Sequence, residues 1–152
     1  MFKKNLFHHV LLLSVVALLL ALTVSVAFAQ SSTSTVSIKA TDPTAKEPSD
    51  NGAFTVYRNA NSTTTAALTV YYSLSGTATN GKDYATLSNS VVIPAGALSA
   101  TIPVKVIDDL LKEGTETVTA TIIPYCPGPL PCTYNIAPSP ANSATVSIFD
   151  NE

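Results

Sequence analysis

Apolar and polar residues alternate along almost the whole chain after residue 35, and this alternation restricts the fold more than any other feature. In the segment 98–107, LSATIPVKVI, every second residue from Leu98 to Val106 is apolar. A period of two places successive side chains on opposite faces of a β-strand, with one face toward a core and the other toward water. Because no segment in this part of the chain shows the period of an amphipathic helix, the pattern predicts an all-β domain.

Seven alternating segments are separated by Gly, Pro, Asn and Asp, which are the residues that turns prefer. Short strands divided by turns in this way are typical of two packed antiparallel sheets. We therefore predict a seven-stranded antiparallel β-sandwich. The predicted strands cover residues 36–40, 52–58, 66–74, 90–93, 98–107, 116–123 and 143–149.

The acidic residues are confined to every second connection between the predicted strands. If each strand reverses the direction of the one before, alternate connections share one end of the sandwich. All ten acidic residues then fall at one end or beside it, whereas the opposite connections, 59–65, 94–97 and 124–142, contain none. Charges that only kept the chain soluble would be scattered over both ends. Eight of the acids form the candidate site: Glu47, Asp83, Asp108, Asp109, Glu113, Glu116, Asp150 and Glu152.

Carboxylates gathered at one end repel each other unless a cation lies among them. Ca²⁺ suits such a set, because it takes about six to eight oxygen ligands in a flexible geometry, whereas Mg²⁺ demands an octahedron and keeps its waters. Soft transition metals prefer His or Cys ligands. We therefore predict that one or more Ca²⁺ ions bind here. The alternative interpretation, a solvated acidic surface, stays open.

The beginning of the chain has the features of a secretory signal peptide. Lys3 and Lys4 precede an almost wholly apolar run, 10–26, and Ala27-Phe28-Ala29 supplies the small residues that a signal peptidase requires. We expect cleavage before Gln30 and a protein that is secreted or lies at the cell surface.

These features divide the chain into a signal peptide at 1–29, a polar lead at 30–35 and a folded domain at 36–152. If the first segment is not cleaved, residues 10–29 would instead anchor the chain in a membrane. Asn61 begins a sequon for N-glycosylation, and whether it is used is left open.

Cys126 and Cys132 enclose a short Pro-rich segment, CPGPLPC. An even number of cysteines in an exported chain predicts a disulfide, which would hold this loop. His8 and His9 belong to the predicted signal peptide, so the mature chain has no His to act as a general base or zinc ligand. This excludes a Ser–His–Asp hydrolase, and we expect no enzyme activity. The acidic balance of the mature chain argues against binding to nucleic acid.

Four stretches, in this order, resemble the Calx-beta domain, the calcium-binding module of sodium–calcium exchangers, which also occurs in integrin β4 and in bacterial surface and secreted proteins. They are GAFTVYR, LTVYYSLSGTATNGKDYATL, SVVIPAGALSATIPVKVIDDLLKEGTETVTATI and SATVSIFDNE. The resemblance covers residues 36–152. It implies a seven-stranded immunoglobulin-like sandwich that binds Ca²⁺ at one tip.

The resemblance also implies which positions bind the metal, and it adds two to the eight acids above. A backbone carbonyl ligand of the family corresponds to Leu111. Asn151 stands where an acid is common, and its amide still offers an uncharged oxygen. We therefore expect a non-catalytic extracellular module in which Ca²⁺ makes one end rigid, in a context of adhesion or communication, with a protein or cell-surface partner left open. The alternatives are a structural or adhesive module with an incidental acidic end, or a fragment of a larger adhesin or enzyme.

Overall fold

The computed structural model describes residues 33–59, 64–129 and 131–152. The predicted signal peptide and the sequon at Asn61 lie outside these ranges. Ser31–Glu152 forms a compact unit by itself. Among the described residues, no helix has the length and apolar character needed to cross a membrane.

The described residues form nine β-strands arranged in two sheets, which confirms the predicted all-β sandwich. One sheet has the strand order β6-β3-β1-β8, and the other has the order β2-β9-β7-β4-β5. The strands are β1 (Thr35–Asp42), β2 (Thr44–Lys46), β3 (Gly52–Arg58), β4 (Leu68–Gly76), β5 (Ser90–Ile93), β6 (Ser99–Val104), β7 (Glu116–Ile122), β8 (Asn135–Ile136) and β9 (Ser143–Phe149).

The core lies between the sheets and is filled by alternate side chains of the strands. In β7, Val118, Ala120 and Ile122 are buried, while the threonines between them are partly exposed. Phe54 of β3 and Val146 of β9 are fully buried in the same way. The alternation that predicted the strands therefore also identified the face that each strand buries.

The described part of the chain has nine strands rather than the predicted seven, and the sheets are not wholly antiparallel. β2 pairs in parallel with β9, and β8 pairs in parallel with β1. The two additional strands have only three and two residues, which is too short for a period of two to be recognised in the sequence. Pro43 separates β1 from β2, at the point where the chain passes from one sheet to the other.

The predicted strand 98–107 also ends early, because its last residues pair with a different partner. Beyond β6, the Ala85 N–H donates to the Lys105 carbonyl (2.8 Å), and the Ile107 N–H donates to the Asp83 carbonyl (3.0 Å). This part of the chain therefore lies against the β4–β5 connection. The acidic segment that follows it is consequently placed next to Asp83.

The strand directions place the acid-bearing connections at one end of the sandwich. β1, β3 and β6 are antiparallel neighbours in one sheet, as are β9, β7, β4 and β5 in the other. The relative direction of the sheets follows from β2, which continues from β1 and runs parallel to β9. The end that carries the β2–β3, β4–β5 and β6–β7 connections and the residues after β9 is called the acidic end below.

The opposite end is closed by a disulfide and a buried tyrosine. Cys126 and Cys132 form the predicted disulfide, in the β7–β8 connection. The hydroxyl of Tyr134 donates to the Ile123 carbonyl (2.6 Å) and accepts from the Tyr71 N–H (3.0 Å). These contacts hold the Pro-rich connection against the ends of β4 and β7.

Arg58, at the end of β3, also closes the opposite end, and it is only 5% exposed. Its guanidinium group donates to four backbone carbonyls of the two nearby connections: Ala97 (2.7 Å), Pro94 (3.0 Å), Ala66 (3.0 Å) and Thr64 (3.4 Å). A buried charge is costly unless it is hydrogen-bonded, and these acceptors satisfy it.

Replacing Arg58 with Met should lower the free energy of unfolding by about 2–4 kcal/mol, because hydrogen bonds from a charged group are lost and buried carbonyls are left without a donor. Urea denaturation followed by circular dichroism measures the change. Lys39→Met is the matched control, since Lys39 is exposed on β1, and a change within about 0.5 kcal/mol is expected. A loss below about 1 kcal/mol for Arg58→Met would mean that water replaces the guanidinium group.

Candidate metal centre

Six carboxylates at the acidic end form two groups of three. Within each group, one oxygen atom of each residue lies within 4.8 Å of the others. In each group, two acids that are close in sequence are joined by a third from a distant connection, so only the fold completes the group. The Glu47 triad consists of Glu47, Asp150 and Glu152, and the Asp83 triad consists of Asp83, Glu113 and Glu116.

The pairing of β2 with β9 assembles the Glu47 triad. The Glu47 N–H donates to the Phe149 carbonyl (3.1 Å), which places Glu47 beside the residues that follow β9. Lys46 and Asp50 exchange two backbone hydrogen bonds of 2.8 Å, which turn the chain back toward β3. Glu47 is only 8% exposed, so its carboxylate has lost much of its contact with water.

The β4–β5 connection holds Asp83 in the other triad. The Thr79 N–H donates to the Asp83 carboxylate. The side chain of Asn80 accepts from the Leu87 N–H (2.9 Å) and donates to the Leu87 carbonyl (3.2 Å), which fixes both ends of this connection. Gly81 has a φ of 85°, a conformation that glycine adopts without strain. Asp83 is therefore held in place by its own loop while it is 8% exposed.

Asp150 links the two triads. One of its oxygens accepts from the Glu113 N–H (2.9 Å) and the Gly114 N–H (3.2 Å), and the other accepts from the Glu152 N–H (3.0 Å). These backbone donors, of which that of Glu152 has the largest effect, hold the pKa of Asp150 well below its usual range. The carboxylate of one triad thus fixes the backbone that carries Glu113 of the other.

Other carboxylates at this end bind protons more strongly than usual. Burial, a hydrogen bond with Asp83 and the charges of Asp83, Glu113 and Glu47 raise the pKa of Glu116 to about 7. Burial, followed by the charges of neighbouring carboxylates, also raises the pKa of Glu47 and of Glu113. Carboxylates that are crowded in this way need a counter-charge, which either protons or a cation can supply.

The remaining predicted ligands lie outside the two triads. Asp109 accepts from the Leu111 N–H (2.7 Å), and the amide nitrogen of Asn151 donates to Asp108 (3.2 Å). The charges of both aspartates contribute to the raised pKa of Glu47, after burial and Asp150. Their side chains are therefore near the Glu47 triad, and the roles of these four residues as ligands stay a prediction.

Two asparagines that were not predicted from the sequence position the site. Asn80 fixes the connection that carries Asp83, as described above. Asn51 accepts from the Val106 N–H (3.0 Å) and so fixes the segment that leads into the acidic β6–β7 connection. Each asparagine directly precedes a glycine, and the Asn-Gly pair is a recognised turn signal. Here the two pairs mark the turns that position the site.

When divalent cations are removed by a chelator, the domain should become less stable as the pH rises from 4.5 to about 7. In this range the folded chain retains a proton on Glu116 that the unfolded chain releases, so protons favour folding. The expected loss is on the order of 1–2 kcal/mol, since solvent screens a carboxyl group that is partly exposed. Urea denaturation at several pH values measures it.

Glu116→Gln removes the titrating group and should abolish most of this pH dependence. Asp42→Asn is the control, because Asp42 is an exposed acid outside both triads. Because its pKa is lowered, Asp150 contributes stability that is lost only as the pH falls below the ordinary value of 3.8. This loss at low pH does not overlap with the loss that Glu116 causes at higher pH. A free energy of unfolding that rises between pH 4.5 and about 7 would contradict the crowding of these carboxylates.

The family comparison matches residues 32–152 to the Calx-beta domain. The search of curated proteins found no match. Among solved structures, that of CBD12 from CALX1.2 is 20% identical with a TM-score of 0.56, and the match covers 78% of this chain and 44% of that one. The calcium binding domain CBD12 of CALX1.1 is 19% identical with a TM-score of 0.52, covering 74% and 44% of the two chains.

The structure of the apo-form Calx CBD1 domain is 20% identical with a TM-score of 0.54, and the match covers 79% of this chain and 99% of that one. This chain thus spans less than half of the CBD12 chains, and its matched part spans nearly all of CBD1. Identities this low establish the shared sandwich fold alone, while the family match extends over both triads. The chain therefore belongs to the Calx-beta domain family, as the sequence resemblance predicted.

Proposed function

We propose that this chain is a non-catalytic Calx-beta module that binds Ca²⁺ at its acidic end. The observation that carries the proposal is the pair of carboxylate triads, which collect oxygen atoms from three connections and from the residues after β9. One of the similar structures is described as a calcium binding domain, which supports the same function for this chain.

The donor atoms in the triads fit Ca²⁺ better than other metals. All six side chains offer carboxylate oxygens, which are the ligands that hard cations prefer. The two cysteines are joined in a disulfide at the opposite end, and the chain has no His after residue 9, so the ligands of soft metals are missing. A flexible coordination shell also tolerates the irregular positions of residues from several loops.

Bound Ca²⁺ would supply the positive charge that the crowded carboxylates lack. At the Glu47 triad it would join the β2–β3 connection to the residues after β9, and at the Asp83 triad it would join the β4–β5 and β6–β7 connections. Because only the folded chain assembles these ligands, binding stabilises the fold by linkage. The proposed role of the ion is therefore mechanical.

The predicted export signal and the disulfide support a role outside the cytoplasm, because disulfides form and persist in oxidising compartments. We propose a secreted or cell-surface module in an adhesion or communication context. The length of the native transcript would show whether this module belongs to a larger adhesin or enzyme.

A second candidate function is an adhesive module whose partner contacts a sheet face instead of the acidic end. The outer face of β7 and β9 carries paired hydroxyl groups without charges, as in Thr119–Thr145 (2.8 Å) and Thr121–Ser143 (2.9 Å). Such a face offers hydrogen bonds without long-range repulsion. This function predicts partner binding that a chelator does not affect.

Calorimetric titration should show Ca²⁺ binding with a dissociation constant of about 10⁻⁴–10⁻³ M, as in other extracellular modules. Ca²⁺ at about ten millimolar should raise the melting temperature by on the order of 5–10 °C, through linkage. Mg²⁺ at the same concentration should have a smaller effect, because the donor geometry is irregular. Absence of both heat and a melting shift would refute the site.

Asp150→Asn should weaken Ca²⁺ binding by about tenfold or more, since it removes a charge from the Glu47 triad and changes the group that holds the Glu113 backbone. Asp50→Asn is the matched control at the same end, because Asp50 is exposed and belongs to neither triad. Calorimetry of both variants makes the comparison. Equal effects would show that diffuse negative charge, and not the triads, attracts the ion.

A further inference from the structure

The β6–β7 connection carries two neighbouring leucines into solvent at the acidic end. Leu110 is 90% exposed and Leu111 is 62% exposed, and neither belongs to the hydrophobic core. Single exposed apolar residues are common on folded proteins. Here, however, an almost completely exposed leucine adjoins a second exposed leucine in the same loop, so the two form a small apolar surface that protrudes into solvent.

The carboxylates of the acidic end hold this tip in a fixed shape. On one side, Asp109 accepts from the Leu111 N–H (2.7 Å). On the other side, Asp150 accepts from the N–H groups of Glu113 (2.9 Å) and Gly114 (3.2 Å). The orientation of the leucines is therefore coupled to the residues that form the candidate calcium site.

We propose that, with Ca²⁺ bound at the acidic end, Leu110 and Leu111 insert into the surface of a phospholipid membrane. This inference rests on the proposed function. A side chain that protrudes as far as Leu110 suits a lipid surface, which deforms around it, whereas a protein partner would need a preformed groove. Insertion to the depth of two leucines corresponds to a shallow contact at the boundary between headgroups and acyl chains.

Charge makes this contact dependent on Ca²⁺. Without the ion, insertion would carry the neighbouring carboxylates toward a region of low dielectric, which is costly for unpaired charges. Bound Ca²⁺ would offset part of this negative charge and would also attract lipid phosphates. Lys112, directly after the leucines, adds a positive charge that favours a phosphate headgroup.

The chain contains no tryptophan, so Leu110→Trp introduces a single tryptophan at the tip, whose emission can be followed apart from that of the tyrosines. The variant is prepared from Gln30 onward, since Ser31–Glu152 forms a compact unit that holds both sheets. It is mixed with vesicles of phosphatidylcholine and phosphatidylserine, some of which carry brominated acyl chains. We expect a blue shift of the emission and quenching by bromine only when Ca²⁺ and vesicles are both present.

Leu98→Trp is the matched control, because Leu98 is 44% exposed and precedes β6 at the opposite end. Its emission should not respond to vesicles. In co-sedimentation, Leu110→Ser and Leu111→Ser should each lower the partition onto vesicles by about tenfold, as loss of a buried leucine predicts. Both serine variants keep every carboxylate and the Leu111 backbone carbonyl, and Leu98→Ser should leave the partition unchanged.

Calorimetric Ca²⁺ titration of the same samples separates the two proposals. If Ca²⁺ binds but the Leu110→Trp emission does not change with vesicles, membrane insertion is overturned and calcium binding stands. A blue shift with Ca²⁺ alone would mean that the tip packs on its own domain, and quenching without Ca²⁺ would mean that the ion has no role. Either result overturns the proposal, as does an absence of Ca²⁺ binding.

Discussion

Repulsion among carboxylates is the interaction on which the acidic end of this sandwich most depends. The chain relieves part of it with its own backbone, because three N–H groups donate to Asp150 and lower its pKa. Glu116 is relieved differently, since its raised pKa of about 7 lets a proton serve as the counter-charge. Ca²⁺ and protons would therefore compete for the same end, and the proposed site should bind the ion more tightly as the pH rises.

Much of the fold follows from the alternation of apolar residues, because burial of one strand face leaves a direct trace in the sequence. The predicted segments 52–58, 90–93 and 143–149 have the bounds of β3, β5 and β9. The short strands β2 and β8 leave no such trace, since their positions depend on tertiary pairing with β9 and β1. The acids could be assigned to one end because strand reversal fixes which connections share it. Their division into two triads depends on the β2–β9 register and on the path after β6, and neither was evident from the sequence.

The two ends of the sandwich are held by opposite kinds of chemistry. At one end, buried Arg58 donates hydrogen bonds to backbone carbonyls, and a disulfide and the Tyr134 hydroxyl fix the β7–β8 connection. All of these contacts are made between described residues of the chain itself. At the other end, carboxylates face each other, and the backbone donors of their loops satisfy only some of them. The chain's own contacts thus hold one end of the sandwich, whereas on our proposal reversible binding of Ca²⁺ holds the other.

The location of the triads suggests how an ion would affect the two sheets. Glu47, Glu116 and Asp150 lie in or directly after strands of the five-stranded sheet, and Asp83 lies in a connection between two of its strands. Glu113 lies in the connection that arrives from β6 of the other sheet. An ion at the Asp83 triad would therefore fasten this crossing connection to the five-stranded sheet. The strand ladders stay within each sheet, so the ion would add to a few hydrogen bonds outside them, such as those from the Ile107 N–H to the Asp83 carbonyl and from the Glu113 N–H to Asp150. Local opening of the β6–β7 connection is consequently the motion that Ca²⁺ would suppress most, while the core between the sheets would be little affected.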